Sequence, residues 1–133
     1  VTESIMEETP AATAKKRVLI IDDSVSVFTQ LKKIFDDDGT CDVVGHAPNG
    51  AEGLKMYKAH QPDAVLLDIV MPVLDGLKAL KMILDSDKNA RVVMISSVGA
   101  VGNKALQALQ LGARGVISKP FRGEEILKTV KEL

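Results

Sequence analysis

The chain is short of several things, and each shortage removes a class of function. A single cysteine, Cys41, rules out an intrachain disulfide and a cysteine metal cage, in keeping with a reducing cytoplasm. Charge is almost balanced: 17 Lys and Arg against 18 Asp and Glu leave a formal charge of -1, so no basic excess exists to release counterions from nucleic acid or to seek an anionic membrane. No apolar run is long enough to cross a bilayer and no signal-peptide pattern opens the sequence, so a soluble, cytoplasmic, monomeric protein is expected. The loop after the first hydrophobic run is acidic and has no glycine-rich cradle, which argues against direct nucleotide binding. No internal repeat is visible.

With 46% apolar residues over 133 positions, the sequence can build one good core. Residues 1–14, rich in Thr and Ser and without periodicity, read as a flexible tail, and residues 15–133 as one domain. Within it, strand and helix alternate. Short β-branched runs predict strands over Lys15 to Asp22, Asp42 to His46, Ala64 to Asp68, Arg91 to Ser96 and Gly115 to Ser118. Helices are predicted over Ser24 to Asp38, Asn49 to His60, Asp75 to Asp85, Asn103 to Leu111 and Glu124 to Leu133, from stripes such as Val27, Leu31, Ile34 and Leu77, Leu80, Leu84. Ser24, Asn49 and Asp75 stand where N-caps belong, and Gly39 and Gly112 where left-handed C-caps do. Five βα units joined by right-handed crossovers give an α/β fold: a doubly wound, five-stranded parallel sheet in the flavodoxin-like order 2-1-3-4-5, with helices on both faces.

Four of the strands end on polar residues: Asp22 and Asp23, Asp68, Ser96 and Lys119. Ligands of open α/β sheets bind beyond the carboxyl ends of the strands, so these side chains should converge there although they are far apart in sequence. Clustered carboxylates repel one another unless protons or a divalent cation intervene. Magnesium fits, with Asp22, Asp23, Asp68 and the Val70 backbone carbonyl as its protein ligands. One carboxylate can also act as a nucleophile toward phosphorus, and central Asp68 is the choice, with Ser96 and Lys119 to hold the phosphoryl oxygens. Asp75 reads as a cap, Asp36-Asp37-Asp38 as a solvated cluster at the far edge of the sheet, His46 and His60 as ordinary element-end residues, and Met56, Met82 and Met94 as core filler.

From Lys16 onward the sequence resembles a response-regulator receiver domain of the stand-alone chemotaxis type. The matching motifs are Val18-Leu-Ile-Ile-Asp22-Asp23-Ser24, Asp63 through Asp68 to Met71-Pro72 with Asp75-Gly76, Ser96-Ser97, and Gly112-Ala113 leading to Lys119-Pro120-Phe121. The resemblance implies Mg²⁺-dependent phosphoryl transfer from a histidine kinase to Asp68, hydrolysis afterwards, and a cis Lys119-Pro120 bond. It also implies output to a flagellar motor switch component or another target, through the surface of the fourth helix, fifth strand and fifth helix, where Lys104, Gln107, Gln110 and Arg122 lie. Many relatives carry an aromatic three residues before the lysine. Val116 stands here, so the loop Ser97 to Gly102 is expected to carry the conformational change instead. A receiver fragment of a larger regulator is the alternative. A haloacid-dehalogenase-type phosphatase is disfavoured because Val70 fills the place of its general acid, and a protein-binding module that never receives phosphate remains open.

Overall fold

The computed structural model describes residues 15–71, 74–97 and 102–133. The expected tail, Pro72 and most of the loop expected to move lie outside them.

The strands are β1 (Lys16–Ile21), β2 (Cys41–Ala47), β3 (Ala64–Asp68), β4 (Val92–Ser97) and β5 (Gly115–Lys119), alternating with helices α1 (Val25–Asp38), α2 (Gly50–His60), α3 (Gly76–Ser86), α4 (Gly102–Leu111) and α5 (Gly123–Lys131). They form one sheet in the order β2-β1-β3-β4-β5, every pairing parallel. The expected fold class and strand order are therefore those observed.

Strand parity divides the core. In β1, Val18 and Ile20 join Leu31 and Phe35 of α1 and Ile126 and Val130 of α5 on one face. Leu19 and Ile21 join Tyr57 of α2, Ala79, Leu80 and Ile83 of α3 and Ala108 of α4 on the other. Because β1, β3 and β4 are covered on both faces, their side chains are buried almost without exception, which is why they read as unbroken apolar runs. Edge strand β2 is only half buried.

Helix ends follow the expected chemistry. Ser24, Asn49 and Asp75 accept from the backbone N–H groups of Val27, Glu52 and Lys78, and Gly39 closes α1 at φ 79° while donating its N–H to the Phe35 carbonyl. Two expectations fail locally. Met82 is 41% exposed, since it stands at the edge of the buried stripe of α3, roughly 60° around the helix from Ala79 and roughly 100° from Ile83. The acidic triplet ending α1 is not uniformly solvated: Asp36 and Asp37 pair with Lys32 and Lys33 on the surface, but Asp38 is half buried and accepts from Lys131 at 3.1 Å, tying α1 to α5.

Candidate functional site

The carboxyl ends of β1, β3 and β5 meet in one acidic hollow. Asp22 continues the ladder past β1, its N–H donating to the Ala47 carbonyl at 2.9 Å, and its side chain is 1% exposed. Asp22 Oδ1 accepts the Ser24 N–H at 2.8 Å. Among the described residues its other oxygen, Oδ2, is buried without a hydrogen-bond partner, although the Lys119 ammonium stands within ion-pair distance at 3.6 Å. Asp68, at the end of β3, is 5% exposed. Its Oδ1 accepts from the Val70 N–H at 3.2 Å and its Oδ2 from Lys119 Nζ at 3.3 Å. Asp23 is exposed, yet one carboxylate oxygen from each of Asp22, Asp23 and Asp68 lies within 4.8 Å of the others. Lys119 enters from β5, followed by a cis bond to Pro120.

Electrostatics set what this hollow can hold. Burial pushes the Asp68 carboxyl up to about 6, and the neighbouring Asp22 charge adds to that, while the Lys119 charge and hydrogen bond and the Val70 N–H pull the other way. Fully ionised, three carboxylates face one ammonium, and 3 − 1 leaves two negative charges uncompensated. A buried carboxylate oxygen without a partner is costly. Hard oxygen donors, a deficit of two charges and an orphaned acceptor together suit a small divalent cation.

The remaining predicted residues are placed less tightly. Ser96 is buried beside the hollow on β4, one residue past Ile95, the register partner of Asp68. Its hydroxyl makes only a long 3.4 Å bond to the Ser97 carbonyl, leaving it able to turn to a better acceptor. Val70 contributes its N–H to Asp68, while its side chain is 52% exposed. Asp75 caps α3, as expected. Val116 is half buried and packs against the core on the α4 face. A groove nearby is lined by Val116, Ser118, Pro120, Arg122, Glu124 and Lys128.

His46 is a strand-end residue, as expected, with contacts that spacing alone does not signal: its Nε2 lies 2.8 Å from the Asp22 carbonyl oxygen and its ring stacks on Phe28, with centroids 4.1 Å apart and planes 4° from parallel. Only pairing of β2 beside β1, with His46 opposite Ile20, could have signalled that contact.

Known proteins resemble the chain over the same span. The family described as response regulator receiver domain matches residues 18–131. The chemotaxis protein CheY of Bacillus subtilis is 39% identical over 116 residues, 87% of this chain and 95% of that protein. A protein-glutamate methylesterase/protein-glutamine glutaminase of Syntrophomonas wolfei is 41% identical over 107 residues, 80% of this chain and 30% of that longer one. Among solved structures, a chain of the CheX-CheY-BeF3-Mg²⁺ complex from Borrelia burgdorferi superimposes with a TM-score of 0.80 at 39% identity, covering 88% of this chain and 87% of that one.

Proposed function

The chain belongs to the response regulator receiver domain family, and from that premise we propose that it is a phosphate-operated switch of a two-component system, accepting a phosphoryl group on Asp68 from a histidine kinase. One observation carries the proposal: side chains from three strand ends gather so that a buried carboxylate, Asp68, faces an ammonium on one side and two further carboxylates on the other.

The residues divide the work by their chemistry. Asp22, Asp23 and Asp68, with the Val70 carbonyl, would hold Mg²⁺, which when bound supplies charge neutralisation for the carboxylates and for the transferring phosphoryl group. Asp68 is the nucleophile: a carboxylate oxygen forms the new bond to phosphorus as the bond to the donor imidazole breaks. Lys119, now bonded to Asp68 Oδ2, follows the charge onto a phosphoryl oxygen, and the Ser96 hydroxyl gives up its long bond to Ser97 for another. Lys119 exchanges one charge-assisted bond for another, so the net gain is the Ser96 bond, about 1.5–3 kcal/mol, enough to shift a two-state surface by roughly 10- to 150-fold.

That surface is the face of α4, β5 and α5. Leu106 and Leu109 are 55% and 47% exposed on α4, and the β5 to α5 groove with Arg122 and Lys128 borders it. The CheY-like relatives support a chemotaxis role. We further propose a flagellar motor switch or other output protein as target, and a cytoplasmic monomer that acts as phospho-acceptor and not as an enzyme on other substrates.

Incubation with acetyl phosphate and Mg²⁺ followed by intact mass spectrometry tests the assignment. Wild type should gain one phosphoryl group and Asp68→Asn none. A gain that survives in Asp68→Asn, or no gain in wild type, overturns it.

A further inference from the structure

We propose that His46 is a positioning residue for the acidic site, holding Asp22 in the orientation that aims its orphaned oxygen into the hollow. The inference deepens the cation-site reading of Asp22 and rests on it.

The argument begins with the backbone. Asp22 lies one residue beyond the end of β1, so its N–H still finds a ladder partner in Ala47 at 2.9 Å while its carbonyl has left the sheet. A carbonyl so placed needs a donor. His46 supplies it from the neighbouring edge strand, Nε2 to oxygen at 2.8 Å. A carbonyl can only accept, so Nε2 carries the proton. The peptide on one side of Asp22 is thereby fixed by Ala47 and the peptide on the other by an imidazole.

The imidazole is itself clamped. Its ring lies flat on Phe28 of α1 at 4.1 Å, and the Phe28 N–H donates to the Ser24 carbonyl at 3.1 Å. Ser24 in turn donates its N–H to Asp22 Oδ1 at 2.8 Å. The contacts close a ring: Asp22 to Ser24, Ser24 to Phe28, Phe28 to His46, and His46 back to Asp22. With Oδ1 and both flanking peptides anchored, the one unsatisfied atom of Asp22, Oδ2, has a fixed direction, toward Lys119 and the other carboxylates. His46 therefore does for Asp22 what hydrogen-bonded outer partners do for metal ligands, whose loss weakens metal binding by about 10–100-fold.

The test separates donor from bulk. His46→Gln keeps an N–H near the position of Nε2, and His46→Leu keeps size and burial without it. The chain has no tryptophan, so Mg²⁺ affinity is measured by isothermal calorimetry and by the amide shifts of Asp22 and Asp68, with thermal unfolding in EDTA recorded beside them. The expected result is an Mg²⁺ dissociation constant about tenfold higher for His46→Leu and within about twofold of wild type for His46→Gln, and long-range ¹H–¹⁵N spectra of wild type showing the proton on Nε2. If His46→Leu does not fold, His46→Asn, whose amide is too short to reach, takes its place with the same expected loss. Wild-type affinity in the donorless variant, or equal loss in Gln and Leu, overturns the positioning role while leaving the cation site intact. No Mg²⁺ binding by wild type overturns both.

Discussion

Asp68 is 5% exposed and shares its hollow with Asp22 and Asp23, while Lys119 is the ammonium that touches it. Its carboxyl is raised to about 6, first by burial and then by the Asp22 charge, and the sign of the consequence follows. A carboxyl whose pKa is higher folded than unfolded binds more protons in the folded state, so metal-free stability is full below about pH 4 and falls as pH rises through about 6. Above that window the ionised Asp68 opposes folding. Replacing it with Asn removes the charge at nearly constant volume. Asp68→Asn should therefore raise metal-free stability at about pH 7.5 by on the order of 1–3 kcal/mol and change it little at about pH 4. Urea unfolding in EDTA at the two pH values checks this, and a stability gain independent of pH would show that the acidic cluster is not under repulsion. Under the proposed function, a carboxylate that destabilises its own fold is one that a cation, and then a phosphoryl group bonded to Lys119, can stabilise selectively.

Among the elements, α3 fixes the floor of the site. Its first residue, Gly76, donates to the Ile69 carbonyl at 2.8 Å, and a Cβ built there would lie 2.2 Å from the Asp68 carbonyl oxygen and 2.6 Å from the Ile69 Cα. Those are backbone atoms that cannot swing aside, so only glycine lets the helix start press against the end of β3. Gly76→Ala should cost about 3 kcal/mol, the upper end of overpacking, whereas Gly115→Ala in β5, where a Cβ meets nothing within 4 Å, should be nearly neutral. Chemical denaturation of both variants decides it, and a tolerated Gly76→Ala would mean the floor can yield. The pair also marks what the sequence could and could not disclose. Asp75-Gly76 was legible as a cap and a motif because capping is local, and Val18 through Ile21 and Ala64 through Leu67 were legible as buried strands because burial on both faces leaves an unbroken apolar run. The backbone contact that makes Gly76 obligatory lies between two elements, as do the stack of His46 on Phe28 and the bond from Lys131 to Asp38. Met82 failed for the same reason: helical spacing gives a stripe, and only the neighbours decide which edge of it is covered.

Across the whole molecule, the parallel sheet puts recognition and restraint at opposite ends. The acidic hollow lies at the carboxyl ends of the strands, and every helix returns to the other end. There Arg17 donates to the His60 carbonyl at 2.7 Å, Asp63 accepts the Arg17 N–H at 2.8 Å, and Lys16 Nζ meets the final carbonyls of α5 and the chain beyond it. At this end too, the Tyr57 hydroxyl of α2 donates to Asp87, just past α3, at 2.8 Å. Burial and the Asp87 contact raise the Tyr57 hydroxyl to about 12, and the same bond lowers the Asp87 carboxyl. The signs give two windows. The depressed Asp87 contributes above the ordinary carboxylate range and loses its contribution as pH falls below about 4, while the raised Tyr57 contributes fully below about pH 10 and loses its contribution as pH climbs toward about 12. Tyr57→Phe should thus destabilise by about 1 kcal/mol at neutral pH, as for a typical hydrogen bond, with the difference shrinking under acid. Because the pair lies at the opposite edge of the sheet from Asp68, the substitution should leave Mg²⁺ affinity and phosphoryl uptake unchanged, and its effect on stability should add to that of Asp68→Asn within about 0.5 kcal/mol. Thermal unfolding of the two single variants and the double variant measures the sum. A shortfall beyond that margin, or an altered Mg²⁺ dissociation constant in Tyr57→Phe, would mean that the two ends of the sheet are energetically coupled and that α2 and α3 transmit the state of the acidic hollow to the far edge.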